Sequence, residues 1–239
     1  MKIPNIHGFI DRRMLINYIA DPEIVAKLIP KPFTPKLYAD KAIVGICLIR
    51  LKKIKPKGFP DFMGVNSENA AHRFAVEWID EDGSKKEGVY IPRRDTNLRL
   101  NSIIGGRLFP GKHDYAKFNV QESNRKYHLD FLSLDQTSIS VDAEISNSLN
   151  ADSVFNDLKT VSDFFSNGSV GYSPNGKKFD GLKLETYNWE VKPLRVKEVR
   201  SSFFDDKTKF PEGSIKFDNA ILMENIEHEW KSLKSISCL

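Results

Sequence analysis

Alternation with a period of two runs through much of the chain. His72, Phe74, Val76 and Trp78 share one side of a register whose other side is Arg73, Ala75 and Glu77, the pattern of a strand with two unlike faces. Asp80-Glu-Asp-Gly83 follows as a turn, and Gly88-Val-Tyr-Ile91 returns as the partner strand. Further extended runs are 42–54, 115–121, 127–134, 137–145, 182–199 and 214–223, punctuated by Ser123-Asn-Arg and Ser173-Pro-Asn-Gly176. Helical periodicity is scarce. Asp21-Pro-Glu23 predicts a short helix through Ile24, Val25 and Leu28, because Asp supplies a cap oxygen and Pro suits the first turn. Pro30 and Pro32 stop it. A second helix is expected from Ser153, with Val154, Leu158, Val161 and Phe165 as its apolar stripe and Gly168 as its terminator. A third, short helix is expected over 96–104.

No repeat, low-complexity tract or linker divides the chain. The expectation is one domain over 1–239, mainly β, built as a barrel or sandwich with a few peripheral helices.

Composition narrows the function classes. The 239 residues carry 36 Lys+Arg against 32 Asp+Glu, and the excess is spread along the chain, which disfavours a nucleic-acid protein driven by bulk charge. The basic run Lys52, Lys53, Lys55 and Lys57 lacks interleaved aromatics and reads as a solvated strand end. The two cysteines make no disulfide framework, and Cys47, inside the apolar run 42–49, reads as a core thiol. The N-terminus lacks the apolar stretch of a signal peptide, and no window approaches the roughly 18 apolar residues that span a bilayer. A soluble, cytoplasmic protein is expected, with neither nucleic acid nor membrane as partner.

Several motifs fail on inspection. Gly106 to Lys112 has the spacing of a phosphate loop, but Pro110 removes a donor, Leu108 and Phe109 are bulky, and His113 stands where a hydroxyl is needed. Gly171-Tyr-Ser173-Pro-Asn begins like a nucleophile elbow, yet Asn175 replaces the second glycine, so a surface turn is expected. The five histidines show no metal spacing, and neither metal nor cofactor is expected.

Polar residues crowd the middle of the chain: Glu68, Asn69, His72 and Arg73, then Arg93-Arg94-Asp95, then Arg107, Lys112 and His113. Taken singly, each fits a charged strand end. As a set they offer guanidinium forks for a carboxylate or phosphate, together with an acid, an amine and an imidazole for proton transfer. Arg107 follows Ile103-Ile-Gly-Gly106, where paired glycines permit close backbone approach.

At these residues the sequence resembles the acetoacetate decarboxylase superfamily, including its large uncharacterised bacterial branch. The segment from Tyr18 through Asp21-Pro-Glu to Pro30-Lys-Pro-Phe33 is similar to the family's tyrosine, acidic helix start and V-P-x-P-L. Ile104-Gly-Gly-Arg107 resembles its G-R-E stretch, and Pro110-Gly111-Lys112-His-Asp-Tyr115 its P-K-K-L-G-Y. Asn66-Ser-Glu68 corresponds to a segment with an active-site glutamate, and Ile221 to Trp230 resembles the uncharacterised branch.

The resemblance implies a cone-shaped, largely antiparallel β-barrel with outer helices, a central pocket, and assembly into homo-oligomers. In the decarboxylases the first lysine of P-K-K forms a Schiff base and the second depresses its pKa. Aligned without a gap, this chain places Gly111 at the nucleophile and Lys112 at its partner; a one-residue shift brings Lys112 to the nucleophile's place. Leu108 replaces the glutamate of G-R-E. Two readings follow. One is a pocket for a small anionic or carbonyl-bearing organic ligand, held by Arg107 with Arg73 or Arg94 and lined by His72 and His113, with the decarboxylase machinery lost. The other is a Schiff-base lyase acting on a keto acid, with Lys112 as nucleophile and Glu68 as proton donor or orienter.

Overall fold

A computed structural model of the chain describes residues 5–99, 111–167 and 169–238. The strands are β1 (Ile6–Ala20), β2 (Thr34–Pro35), β3 (Leu37–Tyr38), β4 (Lys41–Pro56), β5 (Val65–Ile79), β6 (Lys85–Thr96) and β7 (His113–Ser123). They continue with β8 (Lys126–Ser133), β9 (Ser138–Ile145), β10 (Val170–Asn175), β11 (Lys178–Thr186), β12 (Lys192–Ser201) and β13 (Ile215–Ser237). Two α-helices accompany them, α1 (Pro22–Leu28) and α2 (Leu158–Asn167).

All thirteen strands join one sheet. Following hydrogen-bonded neighbours from β5 through β6, β7, β8, β9, β12, β13, β1 and β4 returns to β5, a closed, barrel-like ring. The strands β10 and β11 bridge the same wall a second time, β10 beside β6 and β11 beside β13. Pairing is antiparallel except where β6 meets β7 and β10. The expected mainly β, largely antiparallel architecture is therefore the one found.

The wall β6-β5-β4-β1-β13 is common to both closures, and the pleat gives it two faces. Met14, Leu48, Phe74 and Leu222 point into the ring, where they pack with Leu129, Phe131 and Val141 from the far side. Phe204 and Phe210, from the segment between β12 and β13, complete this filling and are fully buried. Leu15, Cys47, Ala71 and Ile221 belong to the opposite face and pack beneath Phe155, Val161, Phe164 and Phe165.

Helix α1 forms as its sequence predicts: Asp21 Oδ1 accepts from the Glu23 backbone N–H at 2.8 Å. The second helix begins later than its stripe suggests. Asp218 of β13 accepts hydrogen bonds from Ser153 Oγ and the Val154 N–H, pinning them outside the helix. Asp157 Oδ1 then caps the Thr160 N–H at 2.7 Å, so the helix starts at Leu158. Phe155, outside the expected stripe, is buried and stacks on Tyr38 with ring centroids 4.3 Å apart. The expected terminator Gly168 lies outside the described residues.

Other expectations are corrected. Thr96 is the last residue of β6 rather than the first of a helix, and 100–104 lie outside the described residues. The run 182–199 is two strands, β11 and β12. Ser173 is no surface turn: it is buried within β10, and the chain turns only at Gly176, with φ +60°. Strand β1, unmarked by simple alternation, lies in the centre of the wall between β4 and β13. Among the described residues no helix is long and apolar enough to cross a membrane.

Candidate functional site

The pleat sorts the charged residues of the wall. On the ring side Arg12 is almost fully buried, and its guanidinium meets the carboxylates of Glu68 and Glu122. Arg50 donates to the same Glu68 through Nε and to Glu122 through Nη1 at 2.9 Å. Tyr127 Oη donates to Glu224 at 2.9 Å, and Lys192 pairs with that carboxylate at 3.0 Å. Arg93, also on this side, is clamped between Asp95 and Asp135. Every one of these cations has a carboxylate.

The opposite face differs. Arg73 is 3% exposed; its Nη2 donates to Asn17 Oδ1, its guanidinium lies 4.4 Å from the Phe165 ring centroid, and its buried Nε has no hydrogen-bond partner. Asn17 passes the link on to Asn219 at 2.8 Å, and Asn219 donates to Asp218. Arg73 thus touches a carboxylate only through two amides. Arg94 donates through Nε to the Ser173 hydroxyl at 3.1 Å. Half-buried Arg13 meets only the Met223 sulfur and the Trp189 ring. Among the described residues, none of these three arginines is within ion-pair distance of a carboxylate. Burial lowers the pKa of Arg73 to about 9 and that of Arg94 to about 10, the direction expected for a cation removed from water.

Beside Arg94 is a small cavity of about 50 Å³, bordered by Ile49, Asn69, Ala71, Arg94, His113 and Trp230. A larger open groove of about 680 Å³ lies elsewhere, against Trp78, Tyr172 and Ile236. It borders no buried cation, so the smaller cavity is the one with chemistry around it.

The start of β7 determines what faces this cavity. Gly111 has φ +82°, and a Cβ placed there would stand 2.6 Å from Ser173 Cβ and 3.9 Å from Arg94 Nε. Gly111 therefore faces the arginine, and the next side chain points away: Lys112 is 84% exposed and pairs with Asp114 at 2.8 Å. The hydrogen bond and charge of Asp114 raise the Lys112 pKa, whereas a Schiff-base lysine needs it lowered. His113 turns inward again. Burial, followed by the Arg94 charge, holds its pKa down at about 3, so the imidazole is neutral.

The remaining sequence-derived candidates fall elsewhere. Glu68 is in the paired cluster on the ring side, held by Arg12 and Arg50, with the wall between it and Arg94. His72 is also inside the ring, its imidazole 4.4 Å from the Phe203 centroid, and burial lowers its pKa to about 3. Arg107 lies outside the described residues. The structure therefore brings Arg73, Arg94 and His113 to one face and leaves Glu68, His72 and Lys112 apart from them. It adds Arg13 and the Asn17–Asn219 pair, which the sequence does not single out, and Ser173, expected in a surface turn and found buried beside Arg94.

Comparison with known proteins fits this architecture. The model of the DUF2071 family, described as an uncharacterized conserved protein, matches residues 10–217. Curated proteins gave no match. Among solved structures, an acetoacetate decarboxylase from Legionella pneumophila superposes with TM-score 0.58 at 12% identity, covering 97% of this chain and 88% of that one. An acetoacetate decarboxylase-like enzyme from Sphingomonas wittichii RW1 gives 0.59 at 7%, covering 99% and 93%. The enduracididine biosynthesis enzyme MppR, complexed with pyruvate, gives 0.58 at 9%, covering 100% and 92%. At these identities the likeness is one of fold.

Proposed function

For a chain that belongs to the DUF2071 family and is folded like the acetoacetate decarboxylases, we propose a pocket protein for a small organic acid bearing a carbonyl, working without a Schiff-base lysine. The observation that carries this reading is Arg94: a half-buried arginine, its charge partly desolvated, at the edge of a cavity and bonded to a neutral hydroxyl. A desolvated cation without a counter-charge is costly to fold around, and an incoming carboxylate supplies the missing partner. Arg73, one strand further along the same face, adds to the positive potential. Neutral His113 borders the same cavity, where its imidazole can donate to a carbonyl oxygen. Exposed, Asp114-paired Lys112 supports the loss of amine catalysis.

Titration calorimetry with pyruvate, acetoacetate and neutral acetone tests the reading. Both acids are expected to bind and acetone not to. Arg94→Gln should weaken acid binding about 10–100-fold, the worth of a charge-assisted hydrogen bond. Equal binding by the wild type and Arg94→Gln would reject it.

A further inference from the structure

The open groove of about 680 Å³ shares no bordering residue with the cavity beside Arg94, and its charge has the opposite sign. It runs between the far end of the β5–β6 hairpin, the start of β10 and the last residues of β13. Its floor is apolar: Trp78 and Tyr172 meet edge to face with centroids 5.3 Å apart, and Leu233 and Ile236 border it too. Four carboxylates and two ammonium groups surround this floor, on a chain whose net charge is +4. Two of the carboxylates are paired, Glu81 with Lys234 at 2.5 Å and Glu87 with Lys36 at 2.8 Å. Among the described residues, Asp80 and Asp82 have no cation within ion-pair distance; they accept only from the Glu81 backbone N–H and from Ser84. Burial, and then the charge of Asp80, raise the pKa of Tyr172, so that carboxylate acts on the floor itself. Trp78, 6% exposed, borders the groove with a buried indole N–H that has no hydrogen-bond partner. Such orphaned donors are rare in a finished interior.

We infer that this groove is a second ligand site, suited to a small aromatic amine that carries an oxygen acceptor. The ammonium group answers Asp80 and Asp82, the two carboxylates that no lysine pairs with. The ring covers the apolar floor, and the oxygen accepts from the indole N–H of Trp78. Sites for small organic molecules have this size and this make-up, an apolar lining with a few placed polar groups. The same acidic rim repels an acid, so the groove and the cavity beside Arg94 select ligands of opposite charge. The inference does not depend on the acid-binding reading of Arg94.

The test titrates the full chain with tyramine, with 4-ethylphenol, which lacks the ammonium group, and with ethanolamine, which lacks the ring. Tyramine should bind about tenfold or more tightly than either. Asp80→Asn keeps an oxygen for the Glu81 N–H and should weaken tyramine about five- to tenfold, the worth of a charge-assisted contact. Its thermal midpoint and its response to pyruvate should match the wild type. Tyramine silent at millimolar concentration, 4-ethylphenol or ethanolamine binding as well as tyramine, or Asp80→Asn binding like the wild type would each overturn the inference. Light scattering reads the remaining occupant: a chain that self-associates, ignores tyramine and dissociates on Asp80→Asn would give the groove to a second copy and overturn the inference too. If tyramine binds and pyruvate does not, the groove stands and the oxo-acid reading falls; the reverse result leaves the acid pocket and removes the groove.

Discussion

Arg12 and Arg13 are neighbours in sequence, as are Arg93 and Arg94, yet the wall of the ring separates the members of each pair. Arg12 and Arg93 face the ring and meet carboxylates; Arg13 and Arg94 face the other way and meet a thioether, an indole and a hydroxyl. The ring side is finished: apolar residues fill it and each buried charge is neutralised where it stands. On the opposite face Arg13, Arg73 and Arg94 have, among the described residues, no carboxylate within ion-pair distance. In a β-protein a one-residue step along the chain exchanges one condition for the other, so an arginine paired with carboxylates and one that, among the described residues, has none come from one dipeptide.

The strongest test of this contrast removes one arginine from each side. Arg12→Ala opens a void where a fully buried side chain stood and leaves Glu68 and Glu122 to Arg50 alone; it should cost about 2–3 kcal/mol in urea unfolding, the range for truncating a large buried side chain. Arg94→Gln should change stability by less than about 1 kcal/mol, since it deletes a desolvation cost along with one hydrogen bond. Equal losses from the two variants would abolish the distinction.

Acid should weaken both sides. Burial lowers His72 and His113 to about 3 and His228 to about 4, against about 6.5 unfolded. These are depressed histidine values, so the unfolded chain takes up protons that the folded chain refuses. Stability is full above about pH 6.5 and falls on acidification toward pH 4, with a slope approaching about 1.4 kcal/mol per pH unit for each histidine. Denaturant midpoints between pH 7 and pH 4.5 measure this, and His72→Phe should make the decline shallower. An unchanged midpoint across that range would mean that the imidazoles are not held neutral.

The smallest effect is expected at Lys112. Lys112→Ala should shift stability by less than about 0.5 kcal/mol, as for other exposed positions. Borohydride with acetoacetate should leave Lys112 unmodified in the wild type. A reduced adduct there would move the chemistry to the protein surface and undo the assignment of function to the buried face.

Much of the sheet is legible in the sequence because its strands alternate. β5 shows this best, with Phe74, Val76 and Trp78 on one side, and the hairpin at Asn124-Arg125 is marked by turn residues that adopt positive φ. β1 is harder to read. Its ring face runs Arg12, Met14, Ile16, Tyr18, and a buried arginine looks like a surface residue until Glu68 and Glu122, distant in sequence, are seen beside it. β10 is hidden by Pro174-Asn-Gly, which marks the end of a strand instead of replacing one. For the site, Arg73, Arg94 and His113 were legible as types that bind anions and move protons. Which of two adjacent arginines is paired was not, because the carboxylates that decide it come from β5, β7 and the turn after β8. Cys47, expected in the core from its apolar run, is buried there with Leu15, Ala71 and Ile221.

Gly111 limits what a substitution can place beside Arg94. At the position where the resemblance to the decarboxylases places their nucleophile, the backbone holds φ +82° and the nearest atom to a new Cβ is Ser173 Cβ, 2.6 Å away. A lysine cannot be accommodated there by one substitution: the left-handed backbone must relax and Ser173 must shrink, for example to Gly, before a longer side chain has room. Each change alone is unrewarded, since Ser173 also holds Arg94. Backbone angle and neighbour together therefore keep this position without a side chain, and any residue placed there disturbs the group that holds Arg94.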